Sequence, residues 1–455
     1  MLNRRRSTST FLLSAVITAA LGGLLFGFDI AIITGAGPYL RRHFGLSDLG
    51  LGWAFSSLLC GCVIGSAFTG RLADRIGRRK ALFWAAALFA VTSILTGVAS
   101  SFSFFIAGRC LGGLAVGAVS ILSPMYIAEI SPSRSRGRLG ALYQMSVVTG
   151  ILLSYLTNYW LRNAGPDNWR WMFLTGVLPA VLFLRLLLRA PETPRYLVMA
   201  GREDEALRVL SRILNPEWSA AELATIRSSF AKRDQGWSDL ARPGIRRAVA
   251  VSFCLGILVH VSGVNTVIDY APAIFQSAGW NIDAALFATF LVGVTNFIFT
   301  IASFWMIDRW GRKPLYVAGS AVMAVMLMGL AALSGLGKFH GNFVPLLIMI
   351  YLAFFASCIG PVFWTLVPEI FPNRLRGRAM TVPVITQWIT NAVVVLFFPL
   401  AFNRLGKSAT FGFLAAMALL QALFTLIYVP ETKNKSLEEI EQFWTRVPGL
   451  REERR

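Results

Sequence analysis

The chain of 455 residues is strongly apolar and strongly basic. Hydrophobic residues make up 55% of it, charged residues only 15%, and the mean hydropathy is +0.61, which is too apolar for an ordinary soluble domain. The formal net charge of +20 would suggest nucleic acid in a soluble protein, but the basic residues lie in loops between apolar runs, so no nucleic-acid partner is expected.

Apolar runs long enough to cross a bilayer recur along the whole sequence. A spanning helix needs about 20 apolar residues, and twelve such runs are separated by polar segments. Their predicted starts lie near Phe11, Leu49, Ala81, Phe102, Leu139, Trp171, Ile245, Asp283, Leu315, Val344, Ala379 and Thr410. The first run also has features of a secretory signal, but it continues past any cleavage point, so we expect it to be kept as a span.

The loops alternate between strongly and weakly basic. Three arginines precede the first span, and "RLADRIGRRK", "SPSRSRGR", "MIDRWGRKP" and "FPNRLRGR" follow the second, fourth, eighth and tenth. All of these segments fall on one side of the membrane. The positive-inside rule then predicts a multi-pass protein of the cell inner (plasma) membrane, with both termini in the cytoplasm.

The sequence is an internal duplication. "DRIGRRK" returns as "DRWGRKP" 234 residues later, "EISPSRSRGR" as "EIFPNRLRGR" 240 residues later, and the tripeptide "PET" after 239 residues. Three motifs in the same order at nearly one spacing predict two halves of six spans each. Duplicated halves with a site between them are typical of transport by alternating access.

The predicted domains follow from this duplication. Residues 1–193 and 248–432 form the two six-helix bundles, residues 194–247 a cytoplasmic helical linker, and residues 433–455 a cytoplasmic tail. The linker is polar, and a flexible linker is the alternative interpretation. Helical periodicity favours short helices, with one apolar face formed by Leu207, Leu210, Ile213 and Leu214.

Acids and bases repeat in the basic loops of both halves. The candidate cytoplasmic gate consists of Asp74, Arg75, Arg78, Glu129 and Arg136 in the first half and Asp308, Arg309, Arg312, Glu369 and Arg376 in the second. Charges that only set the topology are one interpretation. The other is that they form ion pairs between helices that hold the cytoplasmic side shut, each pair weak enough to switch.

One acid lies within an apolar run. Asp29 is near the middle of "GGLLFGFDIAI", where a charged side chain costs roughly 2.5–3.5 kcal/mol on insertion scales. An intramembrane acid of this kind needs a partner and is a candidate for function.

The ordered motifs resemble the sugar porter family of the major facilitator superfamily. They include "GGLLFGFD", "GRLADRIGRR", "PETPRYL", "DRWGRKP", "GPVFWTLVPEIFPNRLRGRA" and "VPETKNKSLEEIE", and they extend over nearly the whole chain. The resemblance implies an all-α membrane protein with the major facilitator fold, twelve transmembrane helices in two six-helix bundles with a short cytoplasmic helical segment between them.

The resemblance also implies roles for residues within the spans. Asp29 and Arg109 match the proton-coupling acid and arginine of the family. The cytoplasmic gate of the family corresponds to charged residues in the loops named above. The matching sugar-binding positions are Asn265, Asn296, Trp364, Gln387, Trp388 and Asn391. Amides and an aromatic plate suit a ligand with many hydroxyls and a thin apolar face. The alternative for the amides is hydrogen bonding between helices.

The seventh span departs from the family pattern. Val259 and His260 stand where a glutamine pair is common, and Asp269 stands where a tyrosine is usual. In the fifth span Ile151 replaces a glutamine. Because these positions lack the amides common in the family, a less hydroxylated sugar or a non-sugar solute is also a candidate ligand. His260 is either a packing residue or a ligand contact, and Asp269 either contacts substrate or belongs to an extracellular gate.

The sequence thus predicts proton-coupled symport of a monosaccharide, a hexose, pentose or deoxy sugar. The alternatives are a facilitative uniporter, a transporter of a non-sugar polar solute, and a sugar sensor without transport. An enzyme is not expected, because no nucleophile motif, phosphate loop or metal-ligand cluster is evident. We expect no cofactor and no metal, a monomeric protein in the lipid bilayer, and a sugar and a proton as its partners.

Overall fold

The computed structural model describes residues 2–132, 135–214, 216–231, 243–371, 379–433 and 435. Within these residues the chain is helical and contains no β-strand. Arg376, one of the predicted gate residues, lies outside the described residues.

Seven helices build the first half of the chain. They are α1 Leu2–Phe44, α2 Asp48–Ile76, α3 Arg78–Gly97, α4 Phe102–Ile130, α5 Arg136–Leu161, α6 Asn168–Leu174 and α7 Val177–Arg189. Helices α6 and α7 together make the sixth apolar span, Asn168–Arg189.

Three short helices follow, and then the second half. The short helices are α8 Pro194–Met199, α9 Glu203–Ile213 and α10 Pro216–Ala231. The second half contains α11 Pro243–Val261, α12 Val264–Asp269, α13 Ala271–Ser277, α14 Ile282–Trp310, α15 Arg312–Gly335, α16 Phe343–Phe354, α17 Gly360–Ile370, α18 Thr381–Arg404 and α19 Lys407–Tyr428.

Twelve helical segments of the described chain are long and apolar enough to cross a membrane, so the predicted number of spans is confirmed. The predicted starts agree with those of the observed apolar spans to within three residues, although helix α1 itself begins earlier, at Leu2. The largest differences are at α3, α5, α6, α15 and α19, which begin before the first apolar residue because the polar residues of the preceding loop already form the first turn.

Glycines allow helices within a bundle to pack closely. Gly61 of α2 and Gly113 of α4 face each other, and a Cβ on either would meet a backbone carbonyl of the other helix. Small residues at helix contacts let backbones approach, which is the usual route to tight packing in lipid, where the hydrophobic effect contributes little.

The two bundles are joined at one end of the molecule, here called the far face and defined by the loop at Ser47. Helix α2 packs on α18, and α5 packs on α14. Arg162 pairs with Asp283 at 2.9 Å, and Asn403 donates to Asp48 at 2.8 Å. The opposite end, called the basic face, bears the Arg78 and Arg312 loops.

The seventh and tenth spans are interrupted. After α11 the backbone turns through Gly263 in the left-handed region, with φ of 88°, where a Cβ would also meet Leu414. The Tyr351 hydroxyl donates to the Ser262 carbonyl at 3.0 Å and satisfies an acceptor at the break. In the tenth span a π-helical turn, Phe355–Ile359, precedes α17. Such irregular turns are tolerated in spans where protein surrounds them.

The linker helix α9 packs against α1, and its apolar face is slightly rotated from the predicted one. Ala206, Leu210 and Ile213 are buried, which is the i, i+4, i+7 pattern. Leu207 is 38% exposed, so its assignment to the face was wrong. The stripe begins one residue earlier than predicted because Ala206 takes the contact position.

Gly77 and Gly406 have similar backbone angles, but a side chain would meet a neighbouring residue only at Gly77. Substituting each with alanine therefore separates the cost of backbone strain from the cost of a steric clash. Both have an extended backbone with positive φ, 97° and 88°. A Cβ on Gly77 would collide with the Glu192 carboxylate, whereas nothing lies within 4 Å of one on Gly406. We expect Gly406→Ala to cost about 1–3 kcal/mol of strain, and Gly77→Ala to cost more because Glu192 must also leave its site.

Thermal unfolding of the two variants in detergent measures this difference. A Gly77→Ala melting temperature equal to that of Gly406→Ala would show that the Glu192 contact adds nothing to stability.

Candidate functional site

Asp29 and Arg109 form a buried ion pair between α1 and α4. One terminal nitrogen of the guanidinium donates to Asp29 Oδ1 at 2.6 Å, and the other donates to the Asp29 backbone carbonyl at 3.2 Å. The two side chains are 11% and 2% exposed. The buried acid of the first span, Asp29, is therefore compensated by an ion pair with Arg109.

The surroundings of this pair are apolar. The Arg109 guanidinium lies 5.3 Å from the centre of the Phe173 ring, a cation–π distance. Removing one partner of a buried pair typically costs about 3–5 kcal/mol, because the other charge is left without compensation. A pair of this kind switches state when the acid takes up a proton, since protonation removes one of the two charges.

Three candidate ligand residues share one face of α18. Gln387, Trp388 and Asn391 are all buried, and their spacing of one and four residues places them together. The Trp388 indole N–H and the Asn391 amide nitrogen are buried without a hydrogen-bond partner. Unpartnered buried donors are costly, so these groups are available to a polar ligand.

The α18 face is connected to the ion pair through an aromatic contact. The ring of Phe26, one turn before Asp29 on α1, meets Trp388 edge-to-face with centroids 5.8 Å apart. The buried acid of one bundle thus lies one helical turn from a residue that contacts the candidate ligand face of the other.

His260 joins this group from α11, which packs on α18. Its imidazole lies beside the Gln387 side chain, and its Nδ1 is buried without a partner. Val259 is 4% exposed and packs in the apolar core. Only one of the two positions that depart from the family pattern therefore presents a polar group next to Gln387. Asn265, two residues after the Gly263 break, is partly exposed.

Asn296 and Trp364 are placed on other helices. Asn296 is buried on α14, and Trp364 is 45% exposed on α17, which packs against α14. Within the described part of the chain, no hydrogen bond joins either of them to Gln387. The structure thus brings His260, Gln387, Trp388 and Asn391 together and leaves Asn296 and Trp364 on a separate pair of helices.

Asp269 ends α12 and is 6% exposed. It is followed by Tyr270, whose ring stacks between Phe55 and Phe398 at centroid distances of 4.4 and 5.1 Å. The Tyr270 hydroxyl donates to the Val395 carbonyl at 3.0 Å. Because Phe55 belongs to α2, this stack crosses between the bundles and places Asp269 at their interface, not at an exposed rim.

On the basic face, Arg78 pairs with Glu129. The distance is 3.1 Å, and the side chains are 6% and 10% exposed. Arg78 also pairs with exposed Asp74 at 3.0 Å, and the Thr193 hydroxyl donates to Glu129 at 2.6 Å. Arg75 is exposed, and its carbonyl accepts from the Tyr196 hydroxyl.

Glu192 completes this network. Its carboxylate accepts from the backbone N–H groups of Arg78 and Arg79, the first residues of α3, each at 3.1 Å. A carboxylate at a helix N-terminus satisfies donors that have no partner within the helix. Burial raises the pKa of Glu192 above its ordinary value, while the hydrogen bond from the Thr193 N–H opposes that shift.

The second half repeats the arrangement. Arg312 pairs with Glu369 at 3.0 Å, and the Thr432 hydroxyl donates to Glu369 at 2.6 Å. Glu431 accepts from the backbone N–H of Arg312 at 3.1 Å and of Lys313 at 3.0 Å. The arginine–glutamate pair, the threonine hydrogen bond and the glutamate at the helix N-terminus thus occur in both halves.

Two further second-half gate residues that the structure describes are exposed. Asp308 and Arg309 both lie on the surface at the end of α14. Arg309 stacks on Trp305 at 4.8 Å, and its carbonyl accepts from Lys433.

Arg136 does not pair with Glu129 in this structure. It is exposed at the start of α5 and contacts the Ser131 carbonyl at 3.5 Å. The four pairing partners Arg78, Glu129, Arg312 and Glu369 each bond within their own bundle. Arg136 is therefore not the partner of Glu129 in this structure, because that partner, Arg78, comes from α3.

Several residues were missed as site components. Glu192, Glu431, Thr193 and Thr432 were used only to mark the repeat "PET", although the recurrence of an acid and a hydroxyl beside the gate motifs was the signal that could have identified them. Phe26 had no signal of its own. In the described part of the chain, no cluster of three or more His, Cys, Asp or Glu is arranged to hold a metal ion.

Comparison with known proteins gives one family. The model of the family described as "Sugar (and other) transporter" matches residues 15–444. An arabinose-proton symporter of Bacillus subtilis is 37% identical, with 97% of this chain and 96% of the relative covered. The major myo-inositol transporter of the same organism is 35% identical, with 97% and 96% covered.

A solved structure agrees with these relatives. An inward-open conformation of the xylose transporter of Escherichia coli matches 95% of this chain and 100% of its own, with a TM-score of 0.84 and 33% identity. With twelve spans, duplicated halves and this likeness over nearly its whole length, the chain belongs to the sugar porter family of the major facilitator superfamily.

Proposed function

We propose that this protein is a secondary active transporter that couples a proton to a monosaccharide or a closely related polyol by alternating access. The observation that carries the proposal is the buried Asp29–Arg109 pair, one helical turn from the contact of Phe26 with Trp388 on α18. Relatives named as an arabinose-proton symporter and a myo-inositol transporter support this class of solute.

The proton acts through Asp29. In this structure the ionised Asp29 carboxylate binds the Arg109 guanidinium, which also donates to the Asp29 carbonyl of α1. Protonation removes the charge, weakens the hold on Arg109, and lets α1 and α4 shift relative to the opposite bundle. A facilitative uniporter would need no such acid, so the presence of Asp29 favours symport.

The solute binds between the bundles at the α18 face. Gln387 and Asn391 offer amide groups to hydroxyls, Trp388 offers an apolar plate, and His260 adds one ring nitrogen beside Gln387. Asn265, Asn296 and Trp364 are assigned to the same site as further contacts. With Val259 in the apolar core, the α11 side offers fewer hydrogen bonds, which favours a solute with fewer hydroxyls.

We assign the basic face to the cytoplasm, with both termini on that side of the inner membrane. The bundles are joined at the far face, and the chain resembles an inward-open transporter. The structure then represents a state open to the cytoplasm. The domains divide at residues 193, 247 and 432, and the protein works as a monomer in the bilayer, without catalytic activity.

Transport by purified protein in proteoliposomes tests the function. Labelled arabinose, xylose, galactose, a 6-deoxy hexose and myo-inositol are each offered with and without an inwardly directed proton gradient. Accumulation of one solute only with the gradient supports symport. Equilibration that ignores the gradient would replace symport by uniport, and no uptake of any solute in the panel would remove the sugar assignment.

The gate gives a further prediction. Glu129→Gln removes the charge that Arg78 and the Thr193 hydroxyl bind, so we expect the exchange rate to fall by about tenfold, while solute binding measured by tryptophan fluorescence stays near wild type. Glu205→Gln is the control, because Glu205 forms an exposed pair with Arg202 on the same face. Equal exchange rates in the two variants would exclude a gating role for Glu129.

A further inference from the structure

Helix α5 of the first bundle and α14 of the second run antiparallel along one seam between the bundles. At the far face, the Arg162 guanidinium pairs with Asp283 at 2.9 Å. One turn deeper, the rings of Tyr159 and Phe287 have centroids 5.7 Å apart. As the residue number falls along α5 it rises along α14, and these two contacts close the seam on its far-face side.

Tyr155 makes the next contact inward along this seam. A Cβ on Gly293 of α14 would lie 2.6 Å from Cδ2 of the Tyr155 ring, so the ring packs directly on the α14 backbone. Asn296 follows Gly293 by three residues, which places it one turn deeper on the same side of α14. Tyr155 therefore lies across the bundle interface from the turn that precedes a candidate ligand residue.

The Tyr155 hydroxyl is buried without a hydrogen-bond partner, although the residue is only 2% exposed. The buried hydroxyl of Thr34 on α1 is its neighbour, and the two do not meet hydrogen-bond geometry. Helices α1 and α5 are in contact at this level, since the Asn158 amide donates to the Ile32 carbonyl at 3.2 Å. Buried hydroxyls without partners are costly, so both groups are available to a polar solute.

The position of Tyr155 relative to the α18 ligand face follows from α1. Phe26, which contacts Trp388, and Thr34, which neighbours Tyr155, are eight residues apart, or about 12 Å along the helix axis. Asp29 lies between them on the same helix. A monosaccharide with a hydrogen bond at each end can bridge such a distance, so one solute can reach both the α18 amides and the α5 hydroxyl.

We propose that the Tyr155 hydroxyl is a solute contact that closes the binding site on its far-face side and selects for one particular hydroxyl of the solute. This inference rests on the proposed function and deepens it. The α18 amides belong to the second bundle, so a hydrogen bond to Tyr155 gives the solute a partner in the first. A solute lacking that hydroxyl would leave the Tyr155 hydroxyl buried and unpaired.

Solute binding to Tyr155→Phe tests the proposal. Phenylalanine keeps the ring on Gly293 and removes only the hydroxyl, so the fold is preserved. The probes are arabinose, xylose, galactose and myo-inositol, each titrated into the purified full-length chain and followed by calorimetry or tryptophan fluorescence. We expect the best-bound probe to bind about 3- to 10-fold more weakly to the variant, the loss of one neutral hydrogen bond.

Monodeoxy analogues of the best-bound probe distinguish a direct contact from an effect on packing. One analogue, lacking the hydroxyl that meets Tyr155, should bind the unmodified chain about 3- to 10-fold more weakly than the complete solute. To Tyr155→Phe, that analogue and the complete solute should bind alike, because the hydrogen bond is already absent. The other analogues should lose the same factor in both proteins.

Tyr316→Phe is the matched control. Tyr316 is a fully buried tyrosine of α15 whose hydroxyl also lacks a hydrogen-bond partner. The variant makes the same chemical change inside the second bundle, next to Gln421 of α19. It should keep the affinity of the unmodified chain and the ranking of the analogues.

Three outcomes would overturn the proposal. Unchanged affinity in Tyr155→Phe would show that water or nothing satisfies this hydroxyl, while the symport function stands. A weaker affinity with the same loss for every analogue in both proteins would show that Tyr155 acts on the conformation and not on the solute. If no probe binds the unmodified chain, the sugar assignment fails and the Tyr155 contact fails with it.

Discussion

Replacing Asp29 with asparagine is expected to abolish accumulation of solute driven by a proton gradient. Asparagine can accept a hydrogen bond from Arg109 through its amide oxygen, so the local geometry is largely preserved. It cannot bind or release a proton, and it leaves the Arg109 charge without its 2.6 Å partner. The coupling step is therefore lost, while the α18 ligand residues are untouched.

The measurement is uptake of labelled solute by proteoliposomes after a rapid acidification of the outside. We expect the internal concentration to reach, but not to exceed, the external one, whereas the wild type concentrates the solute severalfold. Exchange of internal for external solute without a gradient should continue in the variant. This difference separates a loss of coupling from a loss of fold, because a misfolded protein would do neither.

Asp167→Asn serves as the control for this experiment. Asp167 also forms an ion pair in the first bundle, with Arg170 at 3.2 Å, but its side chain is 54% exposed. It should accumulate solute as the wild type does. Concentrative uptake by Asp29→Asn at the wild-type level would show that the proton binds elsewhere.

The spans were predictable because partition between water and lipid depends on local composition. A run of about 20 apolar residues must be helical in lipid, whatever surrounds it. The helix at Phe102–Ile130 accordingly begins at the predicted residue. The break in the seventh span falls at Gly263, which takes a backbone conformation that other residues rarely adopt.

The partners across helices were not predictable in the same way. The gate acids and bases were expected to pair between helices, but the sequence did not say which acid meets which base; the structure pairs Glu129 with Arg78 of another helix. The pattern of charges along the sequence identifies the residues that can form ion pairs, but the packing of the helices determines which of them come into contact. The repeat in the second half, Arg312 with Glu369, shows that the choice is a property of the duplicated fold.

The position of Asp269 illustrates a different limit. Its acid character was evident from the sequence, but it lies beside Tyr270, whose ring stacks on Phe55 of the opposite bundle. Such a contact depends on how the bundles are arranged and changes as they move. No pattern along the sequence contains that information, so the structure was needed to place the residue at the interface.

Gln387→Leu is expected to weaken solute binding by roughly 10- to 100-fold. Gln387 is buried on the α18 face beside His260 and Trp388. Leucine keeps the volume and the helix but removes an amide donor and acceptor, and a ligand hydroxyl left without a partner costs about 1–3 kcal/mol. Titration of purified protein with the transported solute, followed by calorimetry or tryptophan fluorescence, measures the affinity.

Gln421→Leu provides the matched comparison, because it makes the same chemical change at another fully buried amide. Gln421 lies on α19 next to Tyr316, and both atoms of its amide group lack a hydrogen-bond partner. If buried amides in these helices serve only to hold helices together, the two variants should lose stability alike and keep their affinity. If the α18 face is the solute site, only Gln387→Leu loses affinity. Equal dissociation constants in the two variants would remove Gln387 from the site, and with it the reason for placing the solute between α18 and α1.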